Sequence, residues 1–369
     1  MAVRGCRPYA DTGRAVVVRS PHHVIRPISA IVSLAVLALA AGALAAPASA
    51  GPGPEPAADG GARLHTNAEL ARTLAQIERA ADGRVDVRSV GTSNEGRPLW
   101  FATLGTGPVR LLYVTQQHGD EPLGTESAIH ALRTLGLSES ASARELRSRI
   151  TLGIVVRANP DGHERNWRFN FDPDAQPEFG QAGQGYDINR YHNPDLAPED
   201  NPVPEAAAIQ RTYAAFRPSI VVDYHMQGRY VFPDGREITT SIFWPNNPNV
   251  AADPLRRSKQ VAVRVHAAFT GAGAVVSQYP GGEFEGIARN AYGLRGSASL
   301  LVELSSLPPE REHFQIRTAY ISMIELAEAA GFGRLDAIDP ADADEIPLRG
   351  PEISDSAGAL AHDAEDDAA

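Results

Sequence analysis

The sequence predicts an α/β fold in which helices pack around a largely buried sheet. Four short runs rich in apolar and β-branched residues are typical of strands that are buried on both faces. Segments with apolar residues at helical spacing alternate with these runs, as in sheets whose strands are connected through helices. The chain has 369 residues, of which 43% are hydrophobic, so it is long enough to bury a large core.

The predicted elements follow one another in a regular order. Thr66 is a candidate N-cap for the first helix, because its hydroxyl can accept a backbone N–H of the first turn. Gly331 follows the last helical segment and is a residue type that favours helix ends. The predicted helices cover residues 67–81, 125–135, 205–216, 255–269 and 313–330, and the predicted strands cover residues 109–115, 151–156, 219–223 and 299–302.

The first fifty residues have the pattern of a secretory signal peptide. Five arginines precede an apolar run at residues 28–46, and Ala48-Ser49-Ala50 follows it, so we expect cleavage after Ala50. The alternative is a retained membrane anchor, but the uninterrupted apolar part, residues 34–46, is shorter than the roughly 20 residues of a membrane-spanning helix. The pattern therefore predicts a secreted, extracellular protein without stable membrane insertion.

Charge and cysteine content exclude several classes of protein. The formal net charge is −11, which argues against a nucleic-acid partner because such proteins usually carry a basic patch. The single cysteine, Cys6, lies in the predicted signal peptide. A disulfide framework and any cysteine-ligated metal site are therefore excluded.

Composition divides the rest of the chain into three parts. Residues 51–62 are rich in Gly, Pro and Ala and predict a linker. Residues 63–335 carry the predicted elements and are expected to form one folded domain. Residues 336–369 hold eleven acids and one basic residue, Arg349. Because such a segment buries little apolar surface, we expect it to be a disordered acidic tail.

Residues that can bind metal or move protons follow three of the predicted strands. His118 and Glu121 come after the first strand, His225 follows the third, and Glu303 follows the fourth. Open α/β sheets bind ligands at the carboxyl ends of their strands, so we expect these side chains at one edge. Two imidazoles and a carboxylate are typical of a catalytic zinc site, although cobalt or nickel also suits this sulfur-free set. Any one of these histidines alone would more simply be a surface or core residue.

Glu303 directly follows the apolar run at residues 299–302. It is either a solvated strand end or a general base. Partial burial would raise the pKa of its carboxyl group and suit it to take a proton from an attacking water.

An ordered set of short motifs resembles the zinc metallocarboxypeptidases of the carboxypeptidase A type, over about residues 63–333. The motifs are His118-x-x-Glu121, Asn159-Pro160-Asp161-Gly162, Arg168-x-Asn170, Asp187-x-Asn189-Arg190, His225 and Glu303. The resemblance implies a mixed, mostly parallel sheet of about eight strands between helices. It also implies a secreted bacterial exopeptidase that hydrolyses the C-terminal peptide bond of peptides, and we expect a monomer.

The resemblance implies roles for the metal centre. His118, Glu121 and His225 would bind one Zn²⁺ per chain. Asp187 would orient His118 through a hydrogen bond to the imidazole. Glu303 would activate the attacking water and later pass its proton to the leaving amine.

The resemblance also implies roles in substrate binding. Arg168 would stabilise the oxyanion that forms during hydrolysis. Asn189 and Arg190 would hold the terminal carboxylate of the peptide, because a planar guanidinium suits bidentate recognition. Without the motif context, both arginines would be interpreted as ordinary surface charges.

The residues that contact the substrate side chain are less well defined by the motifs. Tyr279 lies before a Pro-Gly-Gly segment and is the preferred candidate for the substrate-contacting tyrosine, with Tyr292 as the alternative and core packing possible for either. Phe284 is expected to line the pocket for the terminal side chain. If it does, a basic side chain is disfavoured.

Three other functions remain open from the sequence. A zinc amidohydrolase could act on cell-wall peptides with D- or γ-linked residues, and a deacylase could cleave N-acyl amino acids, both with the same metal ligands. A non-catalytic secreted binding module could retain the fold, but it would be expected to lack a ligand or Glu303, and the sequence retains all four residues.

Overall fold

The computed structural model describes residues 61–353. The strands are β1 (Val85–Thr92), β2 (Pro98–Leu104), β3 (Val109–Thr115), β4 (Ile150–Val156), β5 (Gly180–Gln181), β6 (Gly185–Tyr186), β7 (Ile220–Gln227), β8 (Tyr230–Val231), β9 (Glu237–Ile238), β10 (Thr240–Phe243), β11 (Val276–Gln278) and β12 (Ala298–Ser305). The helices are α1 (Asn67–Ala81), α2 (Leu123–Leu137), α3 (Ala141–Arg149), α4 (Pro160–Arg165), α5 (Pro204–Phe216), α6 (Ala252–Gly271), α7 (Ala288–Leu294) and α8 (Glu312–Gly331). None of the helices within the described residues is both long and apolar enough to cross a membrane.

Eight strands form one mixed sheet in the order β1-β2-β4-β3-β7-β12-β10-β11. The central strands β4, β3, β7 and β12 are parallel to one another, and β11 is parallel to β10. The pairs β1–β2, β2–β4 and β10–β12 are antiparallel. The expectation of a mixed, mostly parallel sheet between helices is confirmed. Because β3, β7 and β12 are adjacent and parallel, their carboxyl ends meet at one edge.

Each face of the sheet packs against its own set of helices. On β3, Leu111 and Tyr113 belong to the larger core, which also contains buried residues of α1, α2, α6 and α8. Leu112 and Val114, which alternate with them, belong to the smaller core with α5 and α7. Side chains along a strand alternate between faces, so a strand covered on both sides is apolar throughout. This explains why the central strands could be recognised as continuous apolar runs.

The first helix begins where its sequence predicts. The Thr66 side chain accepts a hydrogen bond from the backbone N–H of Glu69, and the Glu69 carboxylate accepts from the backbone N–H of Thr66. This reciprocal pair is a capping box, which satisfies two otherwise unpartnered donors. At the other end of the domain, Gly331 is the last residue of α8 rather than the residue beyond it.

Two strands are longer than expected, and several short or peripheral ones were not predicted. β7 continues to Gln227 and β12 to Ser305, so His225 and Glu303 lie within strands rather than after them. The last residues of both strands include buried polar side chains, so the apolar runs on which the prediction depended end before the strands do. The edge hairpin of β1 and β2 and the short pair β10 and β11 lack the long apolar runs on which the prediction depended.

The expected disordered tail is wrong for its first part. Residues 336–353 pack against the domain: a 3-10 helix covers Pro340–Glu345, and Ala343 and Ile346 are buried in the larger core. Gln278 at the end of β11 hydrogen-bonds the backbone of this segment through its side chain and main chain. Two apolar side chains and backbone pairing at the sheet edge outweigh the acidic composition. Residues 354–369, the predicted signal peptide and residues 51–60 of the predicted linker lie outside the described residues.

Candidate metal centre and substrate cavity

His118, Glu121 and His225 converge at the carboxyl edge of the sheet. One ligand atom from each lies within 4.8 Å of the others, and all three residues are buried. The His118 Nδ1 atom lies 2.7 Å from the Glu121 Oε1 atom and 3.0 Å from the His225 Nδ1 atom. The His225 Nδ1 atom lies 2.9 Å from the Glu121 Oε2 atom. The structure therefore brings together the three residues that the motifs predict as metal ligands.

A sharp turn after β3 places two of these residues. Gln116 has a left-handed backbone conformation, with φ of 57°, and its side-chain amide donates to the Gly119 carbonyl at 2.7 Å. Gly119 passes so close to α4 that a Cβ atom would lie 2.1 Å from the backbone of Gly162. This close approach requires glycine at position 119 and turns the chain so that His118 and Glu121 point to the same space.

A carboxylate stands behind each imidazole. The His118 Nε2 atom lies 3.1 Å from the Asp187 Oδ1 atom, and the His225 Nε2 atom lies 2.9 Å from the Asp223 Oδ2 atom. Such partners place the proton on Nε2 and direct the Nδ1 lone pair forward. Asp187 thus lies within hydrogen-bond distance of His118, as its predicted role of orienting that imidazole requires. Asp223 was not predicted, although its position two residues before His225 on the same strand face could have revealed it.

The donor set fits a metal cation. With both Nε2 atoms beside carboxylates, the two Nδ1 atoms and the Glu121 carboxylate present lone pairs to one another, and a shared cation removes that repulsion. Burial alone would raise the pKa of Glu121, but His118 and His225 outweigh it and hold that pKa well below its usual value. Imidazole nitrogen and carboxylate oxygen are ligands that zinc accepts.

A buried hydrogen-bond chain continues behind Asp223. The Gln117 side chain donates to Asp223 at 2.6 Å, and its oxygen lies 2.6 Å from the His192 Nε2 atom. The other ring nitrogen of His192 lies 3.0 Å from the hydroxyl of Tyr292. Burial lowers the pKa of His192 to about 3, so this ring stays neutral and keeps one donor for the chain. The sequence analysis did not identify this network, because its members are far apart in the chain.

Arg168 lies beside the cluster. Its guanidinium contacts the His118 Nδ1 atom at 3.2 Å, donates to the Asp187 Oδ2 atom at 3.0 Å, and lies 3.7 Å from Glu121. Arg190 is 3.9 Å from the same Asp187 oxygen. Burial raises the pKa of Asp187, but the two arginines and His118 outweigh it and hold that pKa well below its ordinary value. Both arginines are thus buried at the site and are not surface charges.

Glu303 lies directly beside His225. The two residues are register partners on the adjacent parallel strands β12 and β7, so their side chains leave the sheet on the same face. Glu303 also lines a small cavity with Asn189, Arg190, Tyr279, Ile287, Arg289 and Leu301. The Asn189 amide nitrogen lies 3.4 Å from the His225 Nε2 atom. This cavity adjoins the three clustered residues.

The two candidate tyrosines have different surroundings. Tyr279 lines the cavity that holds Glu303. Tyr292 stacks on Tyr213, with ring centroids 4.6 Å apart, and its hydroxyl contacts His192 inside the smaller core. Core packing therefore explains the burial of Tyr292. Tyr279 is the candidate that lies in the same cavity as Glu303.

Phe284 lies outside the small cavity that holds Glu303, and its expected role at the terminal side chain of the substrate stays a prediction. It is half-buried against Phe179, with ring centroids 4.7 Å apart, and it is not among the described residues that line the cavity. A loop rich in glycine precedes it, so its distance from the cavity could not be inferred from spacing. Arg289, which sequence analysis missed, lines the cavity instead.

Comparison with known proteins agrees with this geometry. A family model described as zinc carboxypeptidase matches residues 70–232. Carboxypeptidase M of Mus musculus is 28% identical over 159 residues, which cover 40% of this chain and 35% of that protein. The chain spans about a third of the length of the curated relatives it matches.

Solved structures show the same fold. Carboxypeptidase A from Helicoverpa armigera has a TM-score of 0.56 at 19% identity and covers 73% of this chain and 74% of its own. A metallo-carboxypeptidase from Pseudomonas aeruginosa, in complex with (2-guanidinoethylmercapto)succinic acid, has a TM-score of 0.55 at 17% identity, with 74% and 70% covered. The fold is that of a metallocarboxypeptidase. The family model over residues 70–232, the curated relatives and the fold thus agree with the resemblance that the ordered motifs predicted.

Proposed function

We propose that the protein is a secreted, monomeric, zinc-dependent carboxypeptidase that removes the C-terminal residue of peptides. One observation carries the proposal: His118, Glu121 and His225 form a buried cluster, and the register of β12 against β7 places Glu303 beside His225. A potential general base thus stands next to a potential metal centre. The similarity of the chain to carboxypeptidase M of Mus musculus and to carboxypeptidase A of Helicoverpa armigera supports the same activity.

His118, Glu121 and His225 would hold one zinc ion, with Asp187 and Asp223 fixing the two imidazoles. When bound there, zinc supplies Lewis acidity to the scissile carbonyl and lowers the pKa of water toward about 7.

The remaining chemistry belongs to side chains of the site. Glu303 would take the proton of the attacking water at its carboxylate and later deliver it to the leaving amine. Arg168 would place its positive charge beside the oxygen that becomes negative during attack.

Asn189 and Arg190 would hold the free carboxylate of the substrate. Both line the same cavity as Glu303, so a terminal carboxylate bound there would place the last peptide bond close to the metal cluster. The Asn189 side chain is itself held, because its oxygen accepts the backbone N–H of Ala288 at 2.9 Å. A requirement for a free C-terminus would follow from this arrangement. Tyr279, which lines the same cavity, would contact the bound substrate.

The test compares matched peptides with free and amidated C-termini, followed by mass spectrometry. We expect loss of single C-terminal residues from the free peptides only, inactivation by a zinc chelator, and recovery on addition of zinc. Cleavage of both peptides within the chain would contradict exopeptidase action. Hydrolysis of N-acyl amino acids or of D- or γ-linked cell-wall peptides, without cleavage of ordinary peptides, would favour the amidohydrolase alternatives.

Secretion is tested by sequencing the N-terminus of the protein recovered from the culture medium. The monomeric state is tested by light scattering.

A further inference from the structure

Two large residues at the carboxyl edge of the sheet have a strained backbone conformation. Gln116 directly follows β3 with φ of 57°, and Arg157 directly follows β4 with φ of 56°. This left-handed conformation is sterically disfavoured for residues that carry a Cβ atom. β3 and β4 are adjacent and parallel, so the two strained residues lie close together, next to the turn that carries His118 and Glu121. Such strain persists only where neighbouring contacts impose it.

Helix ends explain the other left-handed residues that carry side chains. Among the described non-glycine residues, Asp82, Asn166 and Arg217 are the remaining ones with positive φ. Each is the cap residue at the carboxyl end of a helix, α1, α4 or α5, where this conformation is common. Gln116 and Arg157 follow strands, so helix capping does not account for them.

The buried guanidinium of Arg157 joins three parts of the chain. Its Nε atom donates to the Oε1 atom of Gln116 at 2.9 Å. Its two terminal nitrogens donate to the side-chain oxygen of Asn67 at 3.0 Å and to the carbonyl of His65 at 2.6 Å. The residue is 1% exposed, and burial lowers its pKa to about 10, so it stays protonated at neutral pH. Arg157 thus holds Gln116 against the start of α1.

The side-chain amide of Gln116 links this guanidinium to the turn after β3. Its oxygen accepts from Arg157 and, at 2.9 Å, from the hydroxyl of Thr125 in α2. Because a guanidinium can only donate, the amide oxygen faces Arg157 and the amide nitrogen faces away from it. That nitrogen donates to the carbonyl of Gly119 at 2.7 Å. The orientation of one amide therefore determines where the turn is held.

The position of this turn decides whether two of the clustered residues can reach one ion. Gly119 lies between His118 and Glu121 in the chain, so a shift of its carbonyl moves the backbone that carries both side chains. A functional site needs its side chains held to within about 0.5 Å of the productive geometry. Support from behind the turn should therefore affect the affinity for a metal ion.

We propose that Arg157 is a positioning residue for the candidate metal centre and acts through Gln116, which holds the turn that carries His118 and Glu121. This inference rests on the metal site of the proposed function and adds a residue outside that site that sets its affinity for zinc. The left-handed conformations of Arg157 and Gln116 accompany the hydrogen bond between their side chains.

The experiment measures the zinc dissociation constant of the folded protein by competition with a chromophoric chelator. We expect Arg157→Met to bind zinc about 10-fold more weakly, the lower end of the range for groups that orient metal ligands, because Arg157 acts through a second residue. Arg157→Lys should retain part of the affinity, because an ammonium group is a less directed donor. Urea denaturation of the metal-free variants measures stability separately. Lower stability with an unchanged zinc dissociation constant would assign Arg157 a structural role only and overturn the proposal.

Gln116→Gly tests the link without changing Arg157. Glycine adopts the left-handed conformation freely, so this variant relieves the backbone strain while it removes the amide. Its zinc affinity should fall about as far as that of Arg157→Met, and the double variant should show no further loss. Wild-type affinity in Gln116→Gly, or losses that multiply in the double variant, would show that Arg157 does not act through Gln116 and would refute the inference.

Two control variants match these changes elsewhere in the domain. Arg147, in the helix before β4, is 8% exposed and donates to the carbonyls of Leu135 and Ser138, so Arg147→Met also removes a buried arginine. Asp82→Gly places glycine at an exposed left-handed residue. Both variants should bind zinc as the wild type does. Weaker binding in Arg147→Met, equal to that in Arg157→Met, would make the effect a general one and count against a positioning role.

The outcomes also separate this inference from the proposed function. Zinc binding of wild-type affinity in every variant would overturn the role of Arg157 and leave the carboxypeptidase function standing. Zinc affinities that follow the prediction, without cleavage of any peptide by the wild type, would overturn the carboxypeptidase function and leave the positioning role. Failure of the folded wild type to bind zinc would overturn both.

Discussion

Two buried glutamates of this protein have different surroundings and should behave differently. Glu303 lines the small cavity beside His225. Glu205 is fully buried in the first turn of α5, where one oxygen accepts from the Asn170 amide at 2.9 Å and the other has no hydrogen-bond partner among the described atoms. The first position suits proton transfer, and the second suits a neutral carboxyl group.

Glu303→Gln removes the proposed base while keeping the shape of the side chain. We expect kcat to fall by a factor of about 10² to 10⁴, with the zinc content unchanged, because the substitution leaves the three metal ligands in place. Steady-state kinetics and metal analysis check this. Glu205→Gln removes a carboxyl group at another buried site and should keep most of the turnover. Near-normal activity of the Glu303 variant would exclude Glu303 as the base.

Glu205 should make stability depend on pH. Burial raises the pKa of its carboxyl group from 4.5 to about 7, so between these values the folded state holds a proton that the unfolded state has released. Stability therefore falls as the pH rises from about 4.5 to 7, by up to about 3 kcal/mol from this group. Glu205→Gln should be more stable than the wild type at pH 8 and equal to it at pH 4.5, as measured by urea denaturation. An equal difference at both pH values would contradict the assignment.

Asp223 should matter for metal affinity. It contacts the Nε2 atom of His225 at 2.9 Å, and loss of such a partner usually weakens metal binding by about 10- to 100-fold. Asp223→Asn should show this loss in a competition titration with a chromophoric zinc chelator. Asp234→Asn, an exposed acid paired with Arg236, should bind zinc as the wild type does.

At the scale of elements, the segment of residues 336–353 forms part of the folded domain. Its 3-10 helix is tied to α6 by the ion pair between Lys259 and Asp344, with nitrogen and oxygen 2.7 Å apart. Arg349 places its guanidinium 4.6 Å from the ring centre of Tyr279. The segment thus supports the chain after β11, where Tyr279 lines the small cavity that holds Glu303.

Ile346→Ala tests whether this segment contributes to stability. Ile346 is 4% exposed and Leu348 is 71% exposed. Truncating the buried side chain should lower the free energy of unfolding by about 2–4 kcal/mol, whereas Leu348→Ala should change it by less than about 0.5 kcal/mol. Denaturant titration checks both variants. Similar small effects would mean that the segment adds little to the core.

At the scale of the whole molecule, the metal cluster joins distant parts of the chain. The turn after β3 supplies two of its residues and β7 the third, so a bound cation links neighbouring strands. Ligands that bind only the folded state stabilise it by mass action.

Zinc should therefore raise the thermal midpoint of the metal-free protein. At a free concentration of about 1,000 times Kd the gain is about 4 kcal/mol, and a chelator should reverse it. Differential scanning fluorimetry across a zinc series measures the effect. His225→Ala should not respond, and an equal response in that variant would place the ion elsewhere.

The agreement between sequence and structure has physical causes that can be traced to particular elements. The central strands were predicted because both of their faces are covered, and α1 because its cap and apolar spacing are local signals. β1, β2, β10 and β11 were missed because short or edge strands carry weaker apolar patterns. The buried segment around Ile346 was missed because its acidic composition outweighed two apolar residues in the prediction.

The sequence by itself determined the α/β class, the ordered motifs and the residue types of the metal cluster, because these depend on local spacing and on the chemistry of single side chains. Only the tertiary structure decided that Asp223 stands behind His225, that Arg289 rather than Phe284 lines the cavity, and that residues 336–353 join the core. These arrangements depend on strand register and on contacts between segments far apart in the chain, and local sequence patterns do not specify such contacts.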